Sequence, residues 1–256
     1  MPNFRLVLEY DGAGFEGWQI QPAPRRTVQG VVQTAVARVT TQRVRVVGSG
    51  RTDAGVHAEG QVANVAVDTG LDADRLRLAL NGVLPPDVAV LEASIVPDGF
   101  DARRDARSKV YRYAVWNGPT RSPLRATRAL CLQRRLDLAA LRAGAQAVVG
   151  THDFAAFQAS GSLVRSTERT LLRVEATGAA GGAVDLWFEG TGFLRHMVRN
   201  LAGTLLEVGS GRRDAADMTA ILAARERRRA GPTAPAHALT LVSVRYDSAG
   251  GSAASA

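Results

Sequence analysis

Apolar and polar residues alternate through residues 4–10 with the period of two that marks a strand, and Asp11-Gly12 ends the run. The period then changes. Val28, Val31, Val32, Ala35, Val36 and Val39 recur at helical spacing, with Thr27 placed to cap the helix. Residues 44–47 predict a short strand. Residues 61–68 predict a longer one, with Val62, Asn64 and Ala66 on one face and Ala63, Val65 and Val67 on the other. A second helix starts near Asp72, carries Leu76, Ala79, Leu80 and Val83, and stops at Pro85-Pro86, since proline cannot continue the hydrogen-bond ladder. Residues 88–96 form a further strand. The order is β-α-β-β-α-β, the split βαβ or ferredoxin-like unit.

The second half repeats that order. Residues 109–116 read as a strand, and 136–149 as a helix with Leu138, Leu141, Ala145 and Val148 on one side. Strands 171–177 and 184–189 flank a glycine-rich turn at 178–182. A helix at 194–208 precedes an arginine-rich one at about 214–229, and 239–246 is the last strand. The tail 248–256 is Gly, Ser and Ala, a composition expected to be disordered. The chain thus reads as α+β, with units 1–105 and 106–247 forming two packed sheets or one long sheet. A cleft is expected where the units meet, a favoured place for ligands.

Composition sharpens this picture. The net charge is +8 and the isoelectric point about 10.8, and a compact protein this basic points to a polyanionic partner, nucleic acid first. Ten basic residues and one acidic residue, Asp105, lie between Arg103 and Arg135. With Arg225 and Arg227 to Arg229 they form the expected phosphate footprint. Lys109 is the one lysine among 32 basic residues. Cys131 is the single cysteine, so no internal disulfide is possible, and its apolar neighbours predict a buried structural thiol. His57, His152, His196 and His237 show no zinc-site spacing. No signal-like segment opens the sequence, and no apolar run approaches the ~20 residues that span a bilayer, so a cytoplasmic setting is expected.

The most informative segment is GSGRTDAGVHAEGQ at residues 48–61, which joins two predicted strands. Gly48, Gly50 and Gly55 allow sharp turns and close approach of a ligand to the backbone. Asp53 lies between that glycine-rich turn and a small Ala-Gly pair, where its carboxylate can face an open cleft. The segment lacks the Gly-Lys-Ser/Thr ending of a phosphate-binding loop.

Here the sequence resembles the TruA-type tRNA pseudouridine synthases. The run Gly50-Arg51-Thr52-Asp53-Ala54-Gly55-Val56-His57 is similar to that family's signature. Further blocks follow in the family's order: Thr27-Val28-Gln29-Gly30, Phe100-Asp101-Ala102-Arg103, Lys109-Val110-Tyr111-Arg112-Tyr113, His152-Asp153-Phe154, the run FLRHMVRNLAG from Phe193 to Gly203, and Thr233-Ala234-Pro235-Ala236. One departure is Arg195 before His196.

The resemblance implies roles. Asp53 matches the essential aspartate, which attacks the target uridine or its sugar so that the glycosidic bond breaks, the uracil rotates and a carbon–carbon bond replaces the carbon–nitrogen bond. Tyr111 matches the tyrosine that stacks on the target base, a contact any base can make. Arg199 matches the arginine that pairs with the catalytic carboxylate, and a nearby cation favours the ionised form that a nucleophile needs. Arg51 is expected to help extrude the nucleotide, and Thr52 to touch substrate beside it. The resemblance also implies two ferredoxin-like halves sharing an extended antiparallel sheet with a central cleft, a homodimer, no cofactor and no metal. The implied substrate is the anticodon stem-loop of tRNA at uridines 38, 39 and 40. Two other readings compete: a non-catalytic tRNA-binding protein or chaperone, and an enzyme acting on a small phosphorylated metabolite. The first has no need of Asp53, and the second does not use the spread of arginines.

Overall fold

The computed structural model describes residues 1–22, 24–162 and 164–247, so the tail expected at 248–256 lies outside the described residues. The chain builds one ten-stranded, mostly antiparallel sheet and, among the described residues, five α-helices. In chain order these are β1 (Asn3–Tyr10), α1 (Val28–Thr40), β2 (Val47–Gly48), β3 (His57–Ala66), α2 (Ala73–Val83), β4 (Val88–Val96), β5 (Ala106–Trp116), β6 (Leu130–Cys131), α3 (Leu138–Gln146), β7 (Gly150–Asp153), β8 (Glu168–Gly178), β9 (Ala183–Gly190), α4 (Met197–Gly209), α5 (Asp217–Ala224) and β10 (Leu239–Tyr246). The strands run β4-β1-β3-β10-β5-β9-β8-β7, with β2 on β3 and β6 on β5.

Local chemistry sets the element ends. Thr27 accepts from the Gly30 N–H to start α1, Asp72 accepts from Arg75 N–H to start α2, and Asp137 accepts from Ala139 and Ala140 N–H to start α3. The apolar stripe of α1 (Val28, Val32, Ala35, Val36) is buried with Phe4, Leu6 and Leu8 of β1 in the core. On the other side of the sheet's midline, Val184, Leu186 and Phe188 of β9 join Leu141 of α3 and Leu201 and Leu205 of α4 in that core.

Several boundaries differ from the sequence expectation. The strand expected at 44–47 is the two-residue β2, while Gln29 of α1 reaches across to the Val46 carbonyl. The strand β3 begins at His57 rather than residue 61, so the signature runs straight into it. The helix expected from Leu194 starts at Met197, because His196 takes a left-handed conformation (φ 62°) ahead of it. The arginine-rich helix expected to residue 229 ends at Ala224, where Arg225 turns left-handed (φ 58°) and a separate 3-10 turn follows at Arg227–Arg229. Strands β6 and β7 were not expected. They are two and four residues long, and β7 (GTHD) carries no apolar alternation. Cys131 pairs into β6 and is half-buried, not sealed in the core.

The sheet has a seam at its centre. There β3 and β10 run parallel, with Thr240 opposite His57 and Leu241 opposite Ala58. Gly60 permits this contact, since a Cβ there would lie 2.5 Å from the Val242 carbonyl oxygen. Gly60→Ala is therefore expected to lower stability by about 1–3 kcal/mol, the cost of overpacking a tight contact, as measured by urea denaturation. An unchanged midpoint would contradict the close approach.

Candidate active site

Asp53 sits in the loop between β2 and β3, directly beside the seam. The loop is held by backbone bonds along its length. Ser49 N–H donates to the Val62 carbonyl, Trp18 N–H to the Thr52 carbonyl, and Gly55 N–H to the Phe15 carbonyl. A turn closes from Val56 N–H to the Asp53 carbonyl, with Gly55 at φ 79°, a conformation glycine adopts without steric cost. Beneath it, Ser49 and Gln61 share a 2.6 Å hydrogen bond, and Gln61 also donates to the Gly50 carbonyl. His57 ties three segments together: its Nδ1 lies 3.1 Å from the Gly12 N–H nitrogen and its Nε2 3.0 Å from the His237 carbonyl.

The second half supplies the partner. Arg199, in the first turn of α4, donates through Nη1 to Asp53 Oδ2 at 3.3 Å. Its Nε donates to the Ala234 carbonyl at 2.8 Å, and the Ala234 N–H donates back to the Arg199 carbonyl. The guanidinium is thus aimed before any substrate arrives. The pair is only partly shielded, with side chains 16% and 25% exposed, so the carboxylate remains reachable. The positive end of α4 adds to the field that holds an anion at this point.

His196 caps the same helix, its Nε2 3.7 Å from Asp53 Oδ2, too long for a hydrogen bond. Burial lowers the His196 pKa below the usual histidine value. The Asp53 charge acts against this, while Arg199, Arg195 and Arg227 act with it. The sequence gives His196 no clear catalytic role but sets it three residues before Arg199, a spacing that lets both face the cleft, and the structure brings both to the carboxylate.

Tyr111 projects from β5, its ring edge-on to Phe193 at 5.1 Å between centroids. It is buried (7% exposed), and burial pushes its hydroxyl pKa well up, with Tyr10 and Asp53 adding to the effect. Thr52, expected to touch substrate, is instead buried (6% exposed), and its hydroxyl is bonded to the Tyr10 hydroxyl at 2.8 Å. Its place is in the loop's anchor. Tyr10, whose own pKa burial raises to about 12, is the residue the sequence gave no sign of. Arg51 is exposed and forms no ion pair among the described residues.

The expected phosphate footprint divides in two. Arg104, Arg107, Arg112 and Arg128 are paired with Asp105, Asp247, Glu59 and Asp11. Arg103, Lys109, Arg121, Arg125, Arg134 and Arg135 form no ion pair among the described residues. Arg227, counted in the footprint, is committed to the Ala230 and Gly231 carbonyls and to Asn200 and Thr233, so it shapes the chain. A cavity of about 950 Å³ is lined by His196 with Ser160, Arg195, Arg227, Arg228 and Thr233. Asp53 is not part of its wall. Among the described residues no three His, Cys, Asp or Glu side chains converge as a metal site would require, and no helix is long and apolar enough to cross a membrane.

Replacing Asp53 by Asn removes the charge that raises the His196 pKa. The Asp53→Asn protein should therefore show a His196 titration midpoint below that of the wild type in an NMR pH series. A midpoint that rises or stays put would contradict the contact.

Comparison with known proteins adds an independent line. The model of the tRNA pseudouridine synthase family matches residues 6–104 and 145–247. The tRNA pseudouridine synthase A of Myxococcus xanthus is 47% identical over 246 residues, 96% of this chain and 92% of that protein. The tRNA pseudouridine synthase A of Roseiflexus sp. (strain RS-1) is 48% identical over 258 residues, 99% of this chain and 94% of that protein. Among solved structures, the archaeal box H/ACA sRNP Nop10-Cbf5 complex aligns over 89% of this chain and 60% of that chain at 12% identity, with a TM-score of 0.36, too distant to carry an argument.

Proposed function

This chain belongs to the tRNA pseudouridine synthase family, isomerases that make pseudouridine in tRNA, and we propose that it acts on uridines 38, 39 and 40 of the anticodon stem-loop with Asp53 as its nucleophile. The observation that carries the reading is the Asp53–Arg199 contact at 3.3 Å, with the guanidinium fixed from behind by Ala234. A reachable carboxylate with a prepositioned cation is what nucleophilic attack needs.

Asp53 adds to the uridine base or its ribose, and the bond from N1 to C1′ breaks. The uracil turns while it stays in the site, C5 bonds to C1′, the C5 proton leaves to solvent, and N1, freed from the sugar, takes up a proton from solvent. Asp53 is released unchanged, and no external group enters. Arg199 holds the carboxylate in place through each step. Tyr111 stacks on the base, with Phe193 packed against its ring at 5.1 Å between centroids. Arg51, exposed and unpaired among the described residues, assists extrusion of the nucleotide, at a cost of a few kcal/mol that backbone contacts must offset. Thr52 holds the loop through Tyr10.

Residues 1–105 and 106–247 are read as two ferredoxin-like halves. The strand order supports this: β4-β1-β3 with β2 beyond β3 in the first half corresponds to β10-β5-β9-β8 in the second. A homodimer working in the cytoplasm completes the reading, the first carried by family resemblance and the second by the single cysteine.

Anticodon stem-loops with one tritiated uridine (at C5) test the assignment. Release of one tritium per RNA is expected with the uridine at 38, 39 or 40, and none with it elsewhere. Equal release from a stem-loop whose uridine lies outside these positions would contradict the site assignment.

A further inference from the structure

Lys109 has no part in the scheme above. It lies on β5 two residues before Tyr111, so both side chains leave the sheet on the same face. That face lies under the catalytic loop. A Cβ placed on Gly50 would sit 3.1 Å from Lys109 Cε and 4.0 Å from Nζ. The lysine stem packs closely against the bare backbone of Gly50. Lys109 is half-buried, and among the described residues no carboxylate pairs with it. Burial pushes its ammonium below the usual lysine value, and the neighbouring Arg103 charge pushes the same way. Four arginines of the same stretch have carboxylate partners, while this more buried cation has none. A desolvated charge without a counter-ion is costly. It is best offset by an anion that arrives with the substrate, and RNA brings one with every nucleotide.

We infer that Lys109 Nζ anchors a backbone phosphate beside the uridine bound at Asp53, a subsite set by one cation within the cleft. The inference rests on the stem-loop reading given above. Lysine offers a compact point charge on a flexible stem, suited to a single phosphate contact. Lys109 is a positioning residue. Fixing the phosphate fixes how deep the ribose and base sit relative to the carboxylate, and small misplacements of a reacting group are expensive. The exposed arginines share a diffuse attraction for the RNA, whereas Lys109 sets its register.

The test is a scan of anticodon stem-loops, each with one uncharged methylphosphonate, at every linkage from position 36 to 41. Binding is followed by fluorescence anisotropy with the wild type and with Lys109→Met. Isomerisation leaves the backbone unaltered, so turnover does not disturb the readout. With the wild type, one linkage next to the target uridine should weaken binding about tenfold, the scale of a hydrogen bond to a charged group. Lys109→Met should bind unmodified RNA about tenfold more weakly, lose its sensitivity at that linkage alone, and show a salt slope smaller by about one. A flat wild-type scan overturns the inference even if the variant fails to fold, as does the same penalty at the same linkage in both proteins. Tritium release by the wild type, measured on the unmodified stem-loop in parallel, separates the two levels. Normal release with a flat scan removes only the Lys109 subsite, and absent release removes the reading on which it rests.

Discussion

The contact between Asp53 and Arg199 joins residues from the two ends of the chain, and the rest of the architecture is arranged so that it forms. One partner is presented by a loop before β3, the other by the first turn of α4. Between them runs the parallel seam of β3 and β10, only two registered residue pairs long. So short a ladder does not by itself fix the halves against each other. Side chains and backbone outside the ladder reinforce it. His57 bridges to the His237 carbonyl, Ala234 bonds both ends of Arg199, and Tyr246 donates to the Ala102 carbonyl at the turn between the halves. The contact therefore forms only where the loop before β3 and the start of α4 are brought together in the folded chain.

Charge is distributed with the same economy. Several arginines that read as RNA contacts are used inside the protein: Arg227 knits carbonyls to polar side chains beside α4, and Arg128 ties the 118–135 stretch to Asp11 near the Asp53 loop. The cations left without carboxylates are fewer than the composition suggests, and they carry the attraction for a polyanion. Around Asp53 itself the cation is Arg199. His196 is kept toward its neutral form by burial and by the surrounding arginines, with Asp53 only partly opposing them.

Much of this was legible before any coordinates. Long periodic segments such as α1, α2, β1 and β4 were found nearly to the residue, since burial of one face imposes a regular pattern. The signature at 50–57 and the block at 193–203 brought Asp53 and Arg199 together as expected. What escaped has physical causes. The strands β6 and β7 are too short to show a period, and β7 (GTHD) is polar as well. The left-handed residues His196 and Arg225 break helices without glycine or proline to announce it. Thr52 and Arg227 read as ligand contacts because a polar side chain looks the same in sequence whether it meets RNA or a buried hydroxyl and a row of carbonyls. Tyr10 gave no signal at all, since its alternation in β1 matches that of any core aromatic.

The most direct measurement is tritium release from tRNA labelled at the uridine C5, comparing wild type with Asp53→Asn while tRNA binding is followed in the same samples. Release by the wild type, its loss in the variant and retained binding in both are the predicted result. Release by Asp53→Asn at the wild-type rate would contradict the assignment of the nucleophile and, with it, the purpose given to the contact on which the fold converges.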